Sequence, residues 1–170
     1  MNINQYKKKR TPLPHTVWTN PLHFIACGFG VGAIPFFPGT CGTLLGIPIA
    51  IFLSHFSILI FAIACVLLFC VGIYLCSITN RDFGTLDHPA AVFDEIATFP
   101  IVLIGIPMHW YFILIGFILF RFFDIVKPWP ICWVDRNMHN GFGVMFDDFL
   151  AAVFSAVILQ VIYFATHFFA

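Results

Sequence analysis

The acidic side chains of this 170-residue chain are confined to one part of the sequence, where they could bind a cation or do acid–base chemistry. All eight fall between Asp82 and Asp148, at the ends of long apolar runs rather than inside them. They are Asp82, Asp87, Asp94, Glu95, Asp124, Asp135, Asp147 and Asp148. Because a carboxylate close to a lipid bilayer is costly and is usually kept for function, the pattern predicts a polar reaction centre at one membrane face.

Two pairs of adjacent acids, Asp94-Glu95 and Asp147-Asp148, stand where apolar helices are predicted to begin. One acid is enough to complement a helix dipole, a contribution of under about 1 kcal/mol. Paired carboxylates at a membrane interface also suit Mg²⁺, which takes a few carboxylates and keeps waters that substrate phosphate oxygens can replace. The predicted metal ligands, acting directly or through water, are Asp94, Glu95, Asp124, Asp147 and Asp148.

Three charged residues, Arg121, Asp124 and Lys127, are spaced i, i+3 and i+6, so they would lie along one stripe of a helix. Such a stripe is usually a solvated helix face, and basic side chains at a membrane also reach out to lipid headgroups. Here the preceding turns, 112–120, are apolar, which favours a site. Arg binds phosphate as a fork and Lys as a point charge, so Arg121, Lys127 and the later Arg136 are predicted to neutralise a phosphate.

A glycine- and threonine-rich segment, Pro38 to Thr43, precedes the first apolar run. Its glycines leave backbone N–H groups accessible, and Thr40 and Thr43 add hydroxyls, so the segment could hold an anion at a helix N-terminus. A chain break followed by a helix that Thr43 caps explains the segment equally well. The sequence leaves both interpretations open.

The elements that must position these residues are apolar helices. The chain is 61% hydrophobic and 9% charged, with a mean hydropathy of +0.97, which excludes a disordered or nucleic-acid-binding protein. Apolar runs are predicted at 44–53, 57–78, 96–106, 110–122 and 146–169, with polar loops at 79–87 and 129–143. The predicted fold is an all-α, multi-pass membrane bundle of about four apolar helices, plus re-entrant or interfacial segments.

The charges also predict a topology for this bundle. The turns predicted at 54–57 and 107–109 contain no Asp, Glu, Lys or Arg, so every charged residue falls on the opposite face, which the positive-inside rule makes cytoplasmic. Residues 1–21, with the run Lys7 to Arg10, are predicted to be a basic cytoplasmic arm before a membrane domain at 22–170. The six Cys fit no zinc or disulfide pattern and are predicted to be reduced packing residues.

Six motifs occur in a fixed order over residues 20–165. They are Gly28-Phe29-Gly30, PGTCGT at 38–43, DHPAAVFDE at 87–95, FRFFDIVKPWPI at 120–131, Asp135-Arg136 and HNGFGVMFDD at 139–148. Together they resemble the phosphatidylglycerophosphatase A family. The resemblance implies a multi-pass lipid phosphatase of the bacterial inner membrane. It would use Mg²⁺ to hydrolyse phosphatidylglycerophosphate to phosphatidylglycerol and phosphate, the last step in making that lipid.

The resulting hypothesis is a Mg²⁺-dependent phosphomonoesterase acting on a phospholipid headgroup at the cytoplasmic face. Lys127 and Arg136 would neutralise the phosphate at the reacting centre, and Asp87 or Asp135 would orient the attacking water, although a covalent aspartyl phosphate stays open. Three alternatives remain: a small cation or proton transporter using interfacial carboxylates, a lipid-recruiting scaffold, and a phosphatase of another phospholipid monoester.

Overall fold

The fold is all-helical over the residues that the structure, a computed structural model, describes: 13–85 and 88–168, the last two by backbone alone. These residues form seven α-helices and two short 3-10 turns, His15–Val17 and Val31–Ala33, and contain no strand. The helices are α1 (Pro21–Ala26), α2 (Pro38–Leu53), α3 (Ile58–Phe83), α4 (Phe93–Val102), α5 (Trp110–Val126), α6 (Ile131–Asn137) and α7 (Gly141–Phe168). The predicted all-α class is confirmed.

Two of these helices are long and apolar enough to cross a bilayer, fewer than the four or so predicted from hydropathy. They are α3 and the stretch Gly141–Thr166 of α7, each 26 residues, or roughly 39 Å at 1.5 Å per residue. Only 22% of the most apolar window of each helix is buried, so their apolar side chains face outward, as lipid contact requires. Helix α2, with 16 residues, reaches roughly 24 Å.

Helix α3 extends further than hydropathy predicted, through Thr79 to Phe83, which were expected to form a loop. It begins after Ser57, whose Oγ accepts a hydrogen bond from the Ile60 N–H at 3.4 Å. It ends at Gly84, which has a φ of 63°, a left-handed conformation that glycine adopts without steric cost. Polar residues in the last turns did not stop the helix; the glycine did.

Helix α7 begins earlier than predicted, at Gly141 rather than near Phe146. Asn140 caps it, because its Oδ1 accepts a hydrogen bond from the Gly143 N–H at 2.8 Å. The prediction that Asp147 and Asp148 open this helix is therefore wrong: they lie nearly two turns inside it. The predicted polar loop at 129–143 also contains the short helix α6.

Helix α2 begins at Pro38, so the segment Pro38 to Thr43 forms its first turns rather than a loop before it. The residue that precedes it, Phe37, is left-handed with a φ of 53°. Thr43 is buried inside the helix and donates a hydrogen bond to the Gly39 carbonyl at 3.0 Å. The interpretation of Thr43 as the helix cap is therefore wrong.

Helix α4 lies at the centre of the bundle and packs against α2, α3 and α7. Small residues of α2 allow this close approach: a Cβ at Gly42 would lie 2.8 Å from Val92 Cβ, and one at Gly46 would lie 2.9 Å from Phe99 Cβ. Phe99 belongs to a buried apolar core with Leu103 of the segment after α4. The packing fixes the N-terminus of α4, which carries Asp94 and Glu95, beside the ends of α3, α5 and α7.

Candidate active site

A cavity of about 690 Å³ opens where α2, α4 and α7 begin and α5 ends. Six carboxylates and two basic side chains of the described residues line it. They are Asp94, Glu95, Asp124, Asp135, Asp147, Asp148, Arg121 and Lys127. The fold thus brings together all five residues predicted as metal ligands, although they come from three helices. The carboxylates outnumber the basic groups, so the cavity carries an excess of negative charge when all of them are ionised.

Asp94, Glu95 and Asp148 form the tightest group in this cavity, called here the acid cluster. Each contributes one carboxylate oxygen to a set whose members all lie within 4.8 Å of one another. Asp94 and Asp148 are buried, with 7% and 5% of their surface exposed. Three carboxylates this close repel one another strongly at low dielectric unless a cation or a proton intervenes.

The chain itself supplies little positive charge to the acid cluster. Among the described residues, no basic side chain lies within ion-pair distance of Asp148, and Arg121 reaches Glu95 only at 3.6 Å. Glu95 Oε2 and Asp148 Oδ2 are buried and have no hydrogen-bond partner in the part of the chain that the structure describes. Burial, followed by the repulsion of Asp148, raises the pKa of Glu95 to about 8.

These features fit a hard divalent cation. Carboxylate oxygens are the ligands that Mg²⁺ prefers, and the unpartnered oxygens of Glu95 and Asp148 are available for it. Gly39, at the start of α2, leaves room beside them, because a Cβ there would overlap Glu95 Oε1. The residues present therefore match the donor set and the charge that a magnesium site requires.

The same cavity holds a second group of charges, the paired group, defined as Lys127, Asp135 and Asp147. Lys127 Nζ donates hydrogen bonds to Asp135 Oδ1, at 2.6 Å, and to Asp147 Oδ2. Burial alone would lower the pKa of Lys127, but the two carboxylates outweigh it and raise that pKa, so the ammonium stays charged. Lys127 follows α5 with a left-handed φ of 45°, an uncommon conformation for a residue other than glycine.

Arg121 contacts Glu95 of the acid cluster and Asp124. Its Nη1 is 2.7 Å from Asp124 Oδ2 and also donates to Thr43 Oγ1 at 3.4 Å. Its Nε is buried and has no hydrogen-bond partner among the described residues. The spacing i and i+3 was predicted to place Arg121 and Asp124 together on α5, and they do form an ion pair. Thr43 therefore contacts the guanidinium group.

Several predicted site residues are not on the cavity wall. Thr40 and Thr43 are absent from it, whereas their neighbours Pro38 and Gly39 line it. Arg136 is exposed and does not line the cavity. Asp87, the alternative to Asp135 for orienting water, lies outside the described residues.

The cavity wall also includes residues that the sequence analysis did not assign to the site. Phe37 and Met138 line it beside the charged groups, and so does His139. His139 stands between Asp135 and Asp147 in the sequence, which was a weak signal for its place here, whereas no sequence feature pointed to Phe37 or Met138.

Comparisons with known proteins agree with the motifs. The family model described as Phosphatidylglycerophosphatase A matches residues 24–163. The chain is 42% identical over 145 residues to Phosphatidylglycerophosphatase A of Escherichia coli (strain K12), covering 85% of this chain and 84% of that protein. It is 44% identical over 153 residues to the protein of that name from Haemophilus influenzae, covering 89% and 94%.

A third relative, from Bacteroides thetaiotaomicron, is 39% identical over 145 residues, covering 81% of this chain and 90% of that protein. Its name, given as provisional, is phosphatidylinositol-3-phosphatase. No solved structure matches the chain. The match to the family model covers most of the sequence and includes the described residues of the cavity, so this chain belongs to the phosphatidylglycerophosphatase A family.

Proposed function

We propose that this lipid phosphatase hydrolyses phosphatidylglycerophosphate to phosphatidylglycerol and phosphate in the large cavity, with Mg²⁺ held by the acid cluster. Family membership supports the reaction and the substrate. The observation that carries the metal and the site is the juxtaposition of the acid cluster with Arg121 and Lys127 in one cavity. Carboxylates alone would repel a phosphate, and basic groups alone would not explain the buried acids.

The residues that would hold the metal are Asp94, Glu95 and Asp148, with Asp124 and Asp147, which line the same cavity, acting through water. When bound, Mg²⁺ would offset the excess negative charge and stabilise the charge on the transferring phosphoryl oxygens.

The side chains that bind the phosphate in this proposal are Lys127 and Arg121. Lys127 stays protonated because Asp147 and Asp135 stabilise its charge, and its third N–H remains to donate to a phosphate oxygen. The N-terminus of α2 adds the partial positive charge of the helix dipole, and Gly39 brings that backbone to the cavity. Thr43 supports Arg121 through its hydroxyl. Arg136 has no part in this proposal because it is exposed and off the wall.

Asp135 is the candidate for orienting the attacking water. It lines the cavity and accepts a hydrogen bond from Lys127 at 2.6 Å, which fixes one of its oxygens and leaves the other to accept a proton. Asp135 would accept a proton as the water oxygen bonds to phosphorus. The phosphorus–oxygen bond to glycerol breaks, and the glycerol oxygen takes up the proton that Asp135 accepted, passed directly or through water, which gives phosphatidylglycerol and inorganic phosphate and restores the carboxylate.

The proposed setting is the inner membrane of a bacterium, with several passes and the cavity at the cytoplasmic face. Helices α3 and α7 are apolar enough to span. The turn between α2 and α3 carries no acid, Lys or Arg, and neither does the segment 107–109 before α5. Charged residues at one end of the bundle favour a cytoplasmic location for that end. The acyl chains would then stay in the bilayer while the headgroup enters the cavity.

A second candidate substrate is another phospholipid monoester, because the name of the Bacteroides relative refers to phosphatidylinositol 3-phosphate. The groups of the large cavity recognise a phosphate and a cation, and both lipids present a terminal phosphate. The difference between the lipids lies in what the phosphate is attached to.

The test is phosphate release by the purified chain in detergent from phosphatidylglycerophosphate, phosphatidylinositol 3-phosphate and phosphatidic acid, each with Mg²⁺ and with EDTA. We expect Mg²⁺-dependent release that is much faster from phosphatidylglycerophosphate than from the other two lipids. Equal rates in EDTA would remove the metal from the proposal. Faster release from phosphatidylinositol 3-phosphate would make that lipid the preferred substrate in place of phosphatidylglycerophosphate.

A further inference from the structure

A second cavity, of about 390 Å³, lies between the end of α3 and the start of α7. Its wall includes Asn80, Arg81 and Thr85 from α3 and the turn after it, and His139 and Asn140 before α7. Helices α3 and α7 approach closely here, because a Cβ at Gly141 would overlap Ser77. The cavity is therefore built between two fixed helix ends.

The second cavity differs in charge from the first, although its Arg81 is exposed and forms an ion pair with the neighbouring Asp82. None of its described lining residues is acidic, and Arg81 contributes a guanidinium group. Arg81 Nε donates to Asp82 Oδ1 at 3.0 Å, which leaves its other N–H groups for a ligand. The hydroxyl oxygen of Thr85 is buried and has no hydrogen-bond partner among the described residues. These groups suit a small anion that accepts hydrogen bonds.

The two cavities meet at His139, which lines both. One molecule with two anionic groups could therefore occupy both cavities across this residue. Phosphatidylglycerophosphate, the substrate under the proposed function, has this form: a terminal phosphate monoester is joined through glycerol to a phosphodiester, which carries the diacylglycerol. Phosphatidic acid has one phosphate attached directly to the diacylglycerol, and nothing to fill a second anion site.

We propose that the second cavity binds the phosphodiester of the substrate and that Arg81 determines specificity for a lipid with two phosphates. This inference rests on the proposed function and deepens it. The acid cluster and Lys127 act on the terminal phosphate, whereas Arg81 acts on the group that stays with the lipid product. Because Arg81 touches a part of the substrate that does not react, it contributes binding energy that is similar before and during the reaction, so its loss raises KM rather than lowering kcat.

The test compares Arg81→Gln, which removes the charge, with Arg81→Lys, which keeps it. We expect Arg81→Gln to raise KM for phosphatidylglycerophosphate about tenfold or more, the typical effect of one charged hydrogen bond. The kcat should stay within about threefold, and hydrolysis of phosphatidic acid should not change. Arg81→Lys should recover most of the loss in KM. An unchanged KM in Arg81→Gln, or an equal loss with both lipids, would overturn the assignment.

A binding measurement makes this test independent of turnover. Phosphatidylglycerol retains the phosphodiester and lacks the terminal phosphate, so in neutral detergent its binding isolates the second cavity. We expect Arg81→Gln to weaken this binding about tenfold and Asp148→Asn to leave it unchanged. Equal binding by wild type and Arg81→Gln would overturn the proposal even in a preparation without activity. Conversely, wild-type protein that binds phosphatidylglycerol through Arg81 but releases no phosphate would refute only the proposed reaction.

The same measurements separate the phosphodiester of the substrate from the phosphate of a neighbouring lipid. In neutral detergent no other anionic lipid is present, so an Arg81 effect there comes from the substrate itself. A loss of affinity that occurs only in vesicles containing an added anionic lipid would assign Arg81 to that lipid and overturn the proposal.

Discussion

The acid cluster and the paired group occupy the same cavity, yet they differ in how far basic side chains of the chain offset their charge. Lys127 donates hydrogen bonds to both Asp135 and Asp147 and offsets part of their charge. Asp148 has no described basic side chain within ion-pair distance, and Glu95 has only Arg121 at 3.6 Å. A fold that provides a partly buried lysine for one set of carboxylates could have provided one for the other. The difference supports the proposal that a cation from solution completes the acid cluster.

The largest effect should come from removing that cation. EDTA should abolish phosphate release from phosphatidylglycerophosphate, and excess Mg²⁺ should restore it, because the acid cluster and a phosphate repel each other without a cation. Mg²⁺ should also raise the melting temperature of the wild-type protein in detergent, since a ligand that binds the folded state stabilises it. A melting temperature that does not respond to Mg²⁺, together with full activity in EDTA, would mean that no cation completes the acid cluster.

The next largest effect should come from Asp148→Asn, which keeps the shape of the side chain and removes its charge. We expect kcat to fall by about 10²- to 10³-fold, the loss typical of one strong electrostatic group at a reacting centre. The melting temperature in EDTA should not fall, because the substitution relieves repulsion in the acid cluster. The matched control is Ser155→Ala, two turns further along α7, where the hydroxyl bonds only its own helix at Ala151 O. A similar loss of activity in both variants would indicate distortion of α7 rather than loss of a ligand.

Lys127→Ala tests the paired group by removing its only basic side chain. We expect a loss of about 10²-fold in kcat, because the substitution removes a charge from the phosphate and leaves Asp147 without its ammonium partner. Lys127→Arg should retain more activity than Lys127→Ala, since it keeps the charge but alters the geometry. Unlike Asp148→Asn, Lys127→Ala should lower the melting temperature, because it breaks a partly buried ion pair. Wild-type turnover in Lys127→Ala would remove this residue from the site.

A smaller effect concerns stability without metal. The pKa of Glu95 is about 8 in the folded chain, above its ordinary value of 4.5. Between these values the unfolded chain releases the proton while the folded chain keeps it, so the contribution of Glu95 to the free energy of unfolding decreases as pH rises and levels off above about 8. In EDTA, the melting temperature should therefore fall from pH 5 to pH 8. Glu95→Gln should flatten this dependence; an equally steep profile in the variant would assign the effect to other groups.

The sequence predicted the chemistry of the cavity better than its boundaries. Adjacent acids at helix starts, and the spacing of Arg121 and Asp124, were enough to nominate residues that the fold brings together, because charged residues in so apolar a chain have few places to lie. Hydropathy also predicted the all-α fold class correctly. The number of spans was harder to predict, since α2 and α5 are apolar but shorter than a bilayer crossing.

The remaining differences come from local capping and from tertiary packing. Asn140 caps α7, so that helix begins before the predicted residue, and α3 continues through its polar last turns until Gly84 ends it. Neither effect changes hydropathy, so a hydropathy profile does not detect it. Thr43 was nominated because hydroxyls beside glycines often bind phosphate, but in the fold it is buried and accepts a hydrogen bond from Arg121 of α5. Burial of this kind depends on which helices become neighbours, and this chain contains no repeat or local motif that reveals it.

The smallest expected effect is that of Arg136→Ala. This variant tests whether the role of Arg136 follows from its place in a sequence motif or from its place in the fold. Arg136 follows Asp135 directly, and the sequence analysis assigned both to the site. In the structure Asp135 lines the cavity and contacts Lys127, whereas Arg136 is exposed and off the wall.

An exposed basic side chain that does not touch the substrate contributes mainly long-range attraction, which salt screens within about 10 Å at 0.1 M. We therefore expect kcat to change less than about threefold, and any rise in KM to disappear at high salt. A loss of kcat comparable to that of Lys127→Ala, unaffected by salt, would mean that Arg136 reaches the phosphate in the substrate complex.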